Sequence, residues 1–302
     1  MLNYLLIGRG YWGKICQKTL TELQDITLKY IVTSQKPSHN TPCEIHYSNT
    51  WRPLLEKKDI DGIVIASPSA THYDIAKAFI KKKIPVFIEK PMTLCVKQAQ
   101  ELCQLEKEFA CPVVVDHILL FSPAFRAISD YIKKLNLDIH AISFIAGKYK
   151  PYPHDTSMLW EWAPHDLAMC FDLINAPLDI QHITQQKKQI DTNYCQEIKL
   201  TTQVGSTKVE FKWSTLFENP TRKMIIKCSD RQIEFNDKIE PKVTVIHANN
   251  KVETLNYSSK SPLTAAFEHF LDIILTKKTS FTNTTLGLKV VKAVHDIEHQ
   301  LT

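Results

Sequence analysis

Lys90 follows the apolar run Pro85 to Ile88 and lies inside the triplet Glu89-Lys90-Pro91. Such a run reads as a strand. A lysine at the carboxyl end of a strand in a parallel sheet stands where open α/β sheets take their ligands. Partial burial there lowers its pKa, so that it can exchange a proton with a hydroxyl or carbonyl near neutral pH. A surface ion pair with Glu89 is the plainer alternative. A second side chain suited to proton work is His165, in Leu159-Trp160-Glu161-Trp162-Ala163-Pro164-His165-Asp166. Imidazole changes charge near physiological pH, although a histidine of this kind, taken alone, is more often structural. His117, with Asp116 beside it, follows the run Val113 to Val115 at another strand end. It either reaches a ligand or is a satisfied histidine at a helix start.

Three of the seven glycines fall within six positions, Gly8-Arg9-Gly10-Tyr11-Trp12-Gly13, directly after Leu5-Leu6-Ile7. A G-x-G-x-x-G between a strand and a helix has a physical purpose. Gly8 permits the tight turn, Gly10 lets backbone approach a pyrophosphate, and Gly13 lets helix pack on strand, with the helix amides facing the anion. The implied ligand is a dinucleotide. About 20 residues further on, where a carboxylate usually holds an unmodified ribose, the chain reads Ile31-Val32-Thr33-Ser34-Gln35-Lys36. The acid is missing. The hydroxyls of Thr33 and Ser34 and the charge of Arg9 or Lys36 suit a 2′-phosphate. NADP is therefore slightly favoured over NAD, although neutral residues also accept a plain ribose.

These residues need a scaffold, and the first part of the chain supplies one. Apolar runs at Tyr4 to Ile7, Ile26 to Val32, Gly62 to Ala66, Pro85 to Ile88 and Val113 to Val115 alternate with helical patterns at Lys14 to Leu23, His72 to Lys81 and Val96 to Phe109. Thr93 is the expected cap of the last. Strand then helix, repeated, predicts a doubly wound parallel sheet of the Rossmann type over 1–118. After Asp116 the texture changes. A helix near Pro123 to Lys134 precedes alternating stretches at Ile198 to Val204, Lys208 to Trp213, Met224 to Cys228 and Lys242 to His247, and a helical pair, Pro262 to Leu275 and Leu286 to His299, closes the chain. Residues 119–302 are expected to form an α+β substrate-binding and oligomerisation domain with a large, mostly antiparallel open sheet.

The bulk figures agree with an ordinary soluble protein. At roughly 150 residues per domain, 302 residues make two. The net charge of +5 is dispersed, its densest run being Lys81-Lys82-Lys83, which reads as a solvated helix end and gives no footprint for nucleic acid. No apolar run approaches the roughly 18 residues that span a bilayer, and the amino terminus opens on a strand. A cytoplasmic location is expected, with no membrane association. The eight cysteines form no Cys-x-x-Cys pair and are expected to be free thiols. The histidines are read as forming no zinc site, and no metal is assigned.

The glycine motif, Ala66-Ser67-Pro68-Ser69-Ala70-Thr71-His72 and Glu89-Lys90-Pro91 together resemble the Gfo/Idh/MocA oxidoreductases, named for glucose-fructose oxidoreductase and inositol dehydrogenase. The likeness continues through Asp116-His117, Phe121-Ser122-Pro123, Trp160 to Asp166, Pro262 to Leu271 and Leu286 to Val291. It implies an NAD(P)-dependent enzyme that moves hydride between nicotinamide and a CH–OH carbon of a sugar, sugar nucleotide or polyol. Lys90 then handles the proton, Glu89 orients it, and Pro91 fixes the turn through a cis bond. The segment Leu159 to Asp166 resembles the family's D-x-G-x-H-x-x-D, with His165 kept as the partner of Lys90. Glu161 stands where Asp is usual, Ala163 where Gly is, and Ala168 where a second Asp is common. This variant resembles a branch associated with nucleotide-sugar pathways. The resemblance implies cofactor contacts from Gly8, Arg9, Gly10, Tyr11, Trp12, Gly13, Thr33, Ser34, Ser67, Pro68, His72 and Glu89, and substrate contacts from His117, Glu161 and Asp166. His72 is equally a cap on the helix that follows. Tyr149, Lys150, Tyr152 and His154 form a segment that either covers substrate or is a surface loop. A homodimer or homotetramer is implied. The alternatives are a non-catalytic dinucleotide-binding regulator, suggested by the altered acids, and a reductase of the same family acting on a non-sugar substrate.

Overall fold

The computed structural model describes residues 1–34, 45–152 and 157–301; Gln35, Lys36 and His154 lie outside the described residues. From the amino terminus run β1 (Leu2–Ile7), α1 (Tyr11–Glu22), β2 (Ile26–Val32), β3 (His46–Ser48), β4 (Gly62–Ile65), α2 (His72–Lys81), β5 (Val86–Glu89), α3 (Val96–Phe109) and β6 (Val113–Asp116). Their strands make one parallel sheet of order β3-β2-β1-β4-β5-β6. Every residue of β4, β5 and β6 is buried. That is why these strands read as unbroken apolar runs rather than as alternating ones.

There follow α4 (Pro123–Leu135), β7 (Ile139–Gly147), α5 (Leu159–Leu173), β8 (Leu178–Ile190), β9 (Asn193–Val204), β10 (Thr207–Ser214), β11 (Thr221–Cys228), β12 (Arg231–Asn236), β13 (Val243–His247) and β14 (Val252–Thr254). They build an eight-stranded sheet of order β14-β13-β12-β11-β7-β10-β9-β8. Its neighbours are antiparallel except for β7 with β10. In β9, Ile198, Leu200, Thr202 and Val204 are buried while Lys199 is exposed between them. Phe144, Phe211 and Trp213 stack in the core beneath, their centroids 4.9 and 5.0 Å apart in sequence. The chain closes on α6 (Pro262–Thr276) and α7 (Thr284–Leu301).

The chain separates into two compact units, Met1–Ile118 with Ser261–Lys292, and Leu119–Lys260 with Ala293–Thr302. The order of elements alone assigned Ser261–Lys292 to the second domain. It clusters with the first because α6 brings Phe267 and Phe270 to 4.8 and 5.7 Å from Phe87, and Phe270 to 5.5 Å from Tyr4. Two smaller expectations also change. The cap of α3 is Cys95, not Thr93, whose hydroxyl instead donates to the Cys95 carbonyl at 2.9 Å. The thirteen-residue β8 gave no strand signal because it has no buried residue and so needs no apolar alternation.

Candidate active site

The glycine loop joins β1 to α1 at the carboxyl edge of the parallel sheet. Gly8 has φ +99°, and a Cβ there would lie 2.5 Å from the Ala66 carbonyl oxygen at the end of β4. A Cβ on Gly13 would collide with the Gly8 carbonyl, so α1 packs on the turn only without a side chain. Gly10 differs. Nothing stands within 4 Å of where its Cβ would be, and the protein itself does not need a glycine there. Gly10 is also the first residue before α1 and gives that helix no side-chain cap. Open backbone at a helix start is the arrangement that receives a pyrophosphate. Tyr11 is 85% exposed at the same edge. Arg9 is held by its Nε donating to Gln17 Oε1 at 2.7 Å. Beyond β2, the Thr33 amide donates to the Ser48 carbonyl at 2.9 Å, and Ser34 is exposed.

Several residues expected at the cofactor also have partners within the protein. The Trp12 indole N–H donates to Glu89, tying the glycine loop to the end of β5. His72 is buried, its Nδ1 2.9 Å from the Pro91 carbonyl and its Nε2 2.8 Å from the Ser67 carbonyl. A neutral imidazole has a single N–H, so His72 donates to one of these two carbonyls while lying against the other, between the loop after β4 and the loop after β5. Burial holds its pKa below the usual histidine value, opposed by the Pro91 and Ser67 carbonyls, which favour the protonated ring. Ser67 and Pro68 form the turn it secures, with Ser67 Oγ 2.7 Å from Thr71 Oγ1.

Lys90 is half-buried at the end of β5, and the Lys90-Pro91 bond is cis. Glu89 is paired in register with Asp116 at the end of β6, and both are buried. Burial pushes both carboxyls above the ordinary range; Asp116 rises furthest, because Glu89 lies against it. His117 is 1% exposed, and neither ring nitrogen has a hydrogen-bond partner among the described residues. Burial first, and the charge of Lys90 second, push its pKa down to about 3, so it is a neutral imidazole. This places it in the interior of the sheet's edge rather than on an exposed face.

In the second unit, α5 carries the other expected residues. Asp166 is buried, its carboxylate 2.6 Å from Arg222 Nη1 and accepting the Trp213 indole N–H at 2.8 Å. Burial raises its pKa although the Arg222 charge opposes the rise. Each carboxylate oxygen has a partner, so Asp166 anchors α5 to β10 and β11. Nothing local in the sequence marked Arg222 or Trp213, which arrive from β11 and β10. Glu161 accepts from Lys150 Nζ at 2.6 Å and from the Tyr152 hydroxyl. Backbone pairing of Tyr152 with Tyr194 fixes that segment. Lys150 and Tyr152 are thus bound to α5 and are not a free loop. His165 is half-buried in α5, one residue before Asp166. The His-x-x-x-His spacing with a glutamate that the sequence reading passed over is His295, Glu298 and His299 in α7. Among the described residues no three His, Cys, Asp or Glu side chains are placed to share an ion.

A glycine loop of this geometry on a sheet of this order defines a dinucleotide-binding protein of the Rossmann type. Residues 2–117 match the Gfo/Idh/MocA family, described as an oxidoreductase family with an NAD-binding Rossmann fold. An uncharacterised oxidoreductase of Synechocystis sp. is 33% identical over 136 residues, which are 43% of this chain and 36% of that protein. The matched stretch therefore spans only about a third of that relative's length. The UDP-N-acetylglucosamine 3-dehydrogenase of Acidithiobacillus ferrooxidans is 22% identical over 253 residues, 78% of this chain and 77% of that one. Its solved structure shares the fold at TM-score 0.81 and 18% identity, over 99% of this chain and 97% of that one. A candidate oxidoreductase of Magnetospirillum magnetotacticum superposes with TM-score 0.86 at 25% identity, over 97% of this chain and 98% of that one.

Proposed function

We propose that this protein is an NAD(P)-dependent dehydrogenase of a sugar-like CH–OH group, with a sugar nucleotide as the preferred substrate class. The observation that carries the reading is the empty approach over Gly10 beside a half-buried Lys90 at the same sheet edge. The residues fit a dinucleotide: Gly10 and the first amides of α1 receive the pyrophosphate, Ser67 and Pro68 turn beneath a ribose, and Thr33, Ser34 and Arg9 favour the 2′-phosphate of NADP. The nicotinamide would supply the hydride acceptor or donor. Lys90, in its neutral amine form, takes the proton of the substrate hydroxyl, and His165 is assigned the second proton-handling role. The nucleotide-sugar class is supported by the similarity to the Acidithiobacillus enzyme. A cytoplasmic homodimer or homotetramer belongs to the same proposal.

The test is a fluorescence titration of the protein with NADH and NADPH, then of Gly10→Val and Lys90→Ala, followed by turnover on UDP-sugars. Micromolar binding is expected in wild type, with NADPH the tighter. It should be lost in Gly10→Val and kept within about threefold in Lys90→Ala, while kcat of Lys90→Ala falls about 10²- to 10⁴-fold. No binding by wild type would overturn the reading. One observation favours a non-catalytic binder instead: the acids flanking His165, Glu161 and Asp166, are both held by the chain itself. Binding without turnover of sugars or of other carbonyl and imine compounds would establish it.

A further inference from the structure

The last residues of β5 and β6, Glu89 and Asp116, are partners across adjacent parallel strands. Their side chains share one face and are 8% and 1% exposed. Glu89 has a donor, the Trp12 indole. Neither Asp116 oxygen accepts an N–H or O–H from the described residues, and the polar group against it is the Glu89 carboxyl. Two carboxylates have only acceptors to offer each other; a hydrogen bond forms between them when one carries a proton. Two bare charges at this depth would each lose hydration and repel, which proteins avoid by keeping one acid neutral. Among the described residues, the other ionisable groups that interact with the pair are Cys16 from α1 and Lys90 after β5, and His117, which follows Asp116 in the chain, is beside Lys90. Burial pushes the Cys16 thiol up and His117 stays uncharged, so Lys90 is the only cation among them.

We propose that Glu89 and Asp116 share one proton at neutral pH, so that a single negative charge faces Lys90, and that Asp116 is a positioning residue that sets the lysine's proton affinity. The second clause rests on the role proposed for Lys90; the first does not. Either acid can carry the charge while the other carries the proton, so the pair titrates as a unit. Trp12 favours Glu89 as the ionised member and links that choice to the glycine loop.

The shared proton is read by infrared spectroscopy of the full-length protein at neutral pH, where a carboxylic acid and a carboxylate absorb separately. Wild type is compared with Glu89→Gln, Asp116→Asn and the double variant. One acid band is expected to vanish in either single variant, because the carboxyl that remains ionises, and the double variant is expected to lose no more. No band lost, or a second band lost in the double, overturns the proposal. Where a variant does not fold, wild type is compared below and above the pH at which the band titrates. A wild type with no acid band at neutral pH overturns the pair outright. The positioning role is read from the pH at which kcat/KM rises with Lys90 deprotonation. Each single variant leaves one charge and should leave that pH in place, while the double should lower it by about one unit or more. Single variants that shift it as far as the double, or a double that does not shift it, overturn the role. Absence of turnover in wild type would refute the proposed function and leave the spectra to judge the shared proton.

Discussion

His117 is the residue whose burial has the clearest consequence in solution. Its folded pKa of about 3 lies below the 6.5 of an exposed histidine. Between those values the unfolded chain binds a proton that the native protein excludes. Stability is therefore full above about pH 6.5 and falls as pH drops toward 3. Replacing His117 with Asn removes that titration, so the unfolding midpoint of the variant should depend less steeply on pH between 6.5 and 4, whatever its absolute value. Equal slopes in thermal unfolding would show that His117 does not titrate as described. The residue was legible as a strand-end histidine, but its burial was not, because burial is a property of what packs around it. His72 makes the same point. Its position before α2 suited both a cofactor contact and a cap, and only the two carbonyls at 2.8 and 2.9 Å decide that it joins two loops.

The element that carries the site is the β1–α1 turn, and its glycines separate what folding needs from what a ligand needs. Gly13→Ala would push a methyl into the Gly8 carbonyl and should cost on the order of 1–3 kcal/mol through displacement of α1. Gly10→Ala places its methyl in open space. It should change stability by no more than about 1 kcal/mol while weakening NADH or NADPH binding at least about tenfold, since the methyl occupies the pyrophosphate approach. Paired denaturant melts and cofactor titrations check this. A Gly10→Ala protein that binds normally would remove the loop from the site. This element was fully legible, because strand, turn and helix lie within 22 consecutive residues and their geometry is local. β8 was not, since it has no buried residue and its apolar alternation stops after Leu178 and Ile180, where the register shifts.

For the molecule as a whole, the first unit depends on a segment from the far end of the chain. Phe267 and Phe270 of α6 pack on Phe87 and Tyr4, and Ile274 reaches the backbone of Gly62. A chain ended after Lys260 should therefore fail to bind NADH or NADPH and should lose cooperative unfolding of the first unit, measured by titration and thermal melts. Retained binding would mean that residues 1–118 fold unaided. The described residues include no helix long and apolar enough to cross a membrane. What the sequence by itself determined was whatever short-range geometry enforces: the glycine loop, the alternation of buried strand and helix that makes a parallel sheet, and Lys90 at a strand's carboxyl end. Only the tertiary structure decided which polar groups face ligands and which face each other. Asp166 meets Arg222 across 56 residues and Trp213 across 47, and Glu89 meets Trp12 across 77. Such pairings follow from strand register and packing, which no local pattern of residues encodes.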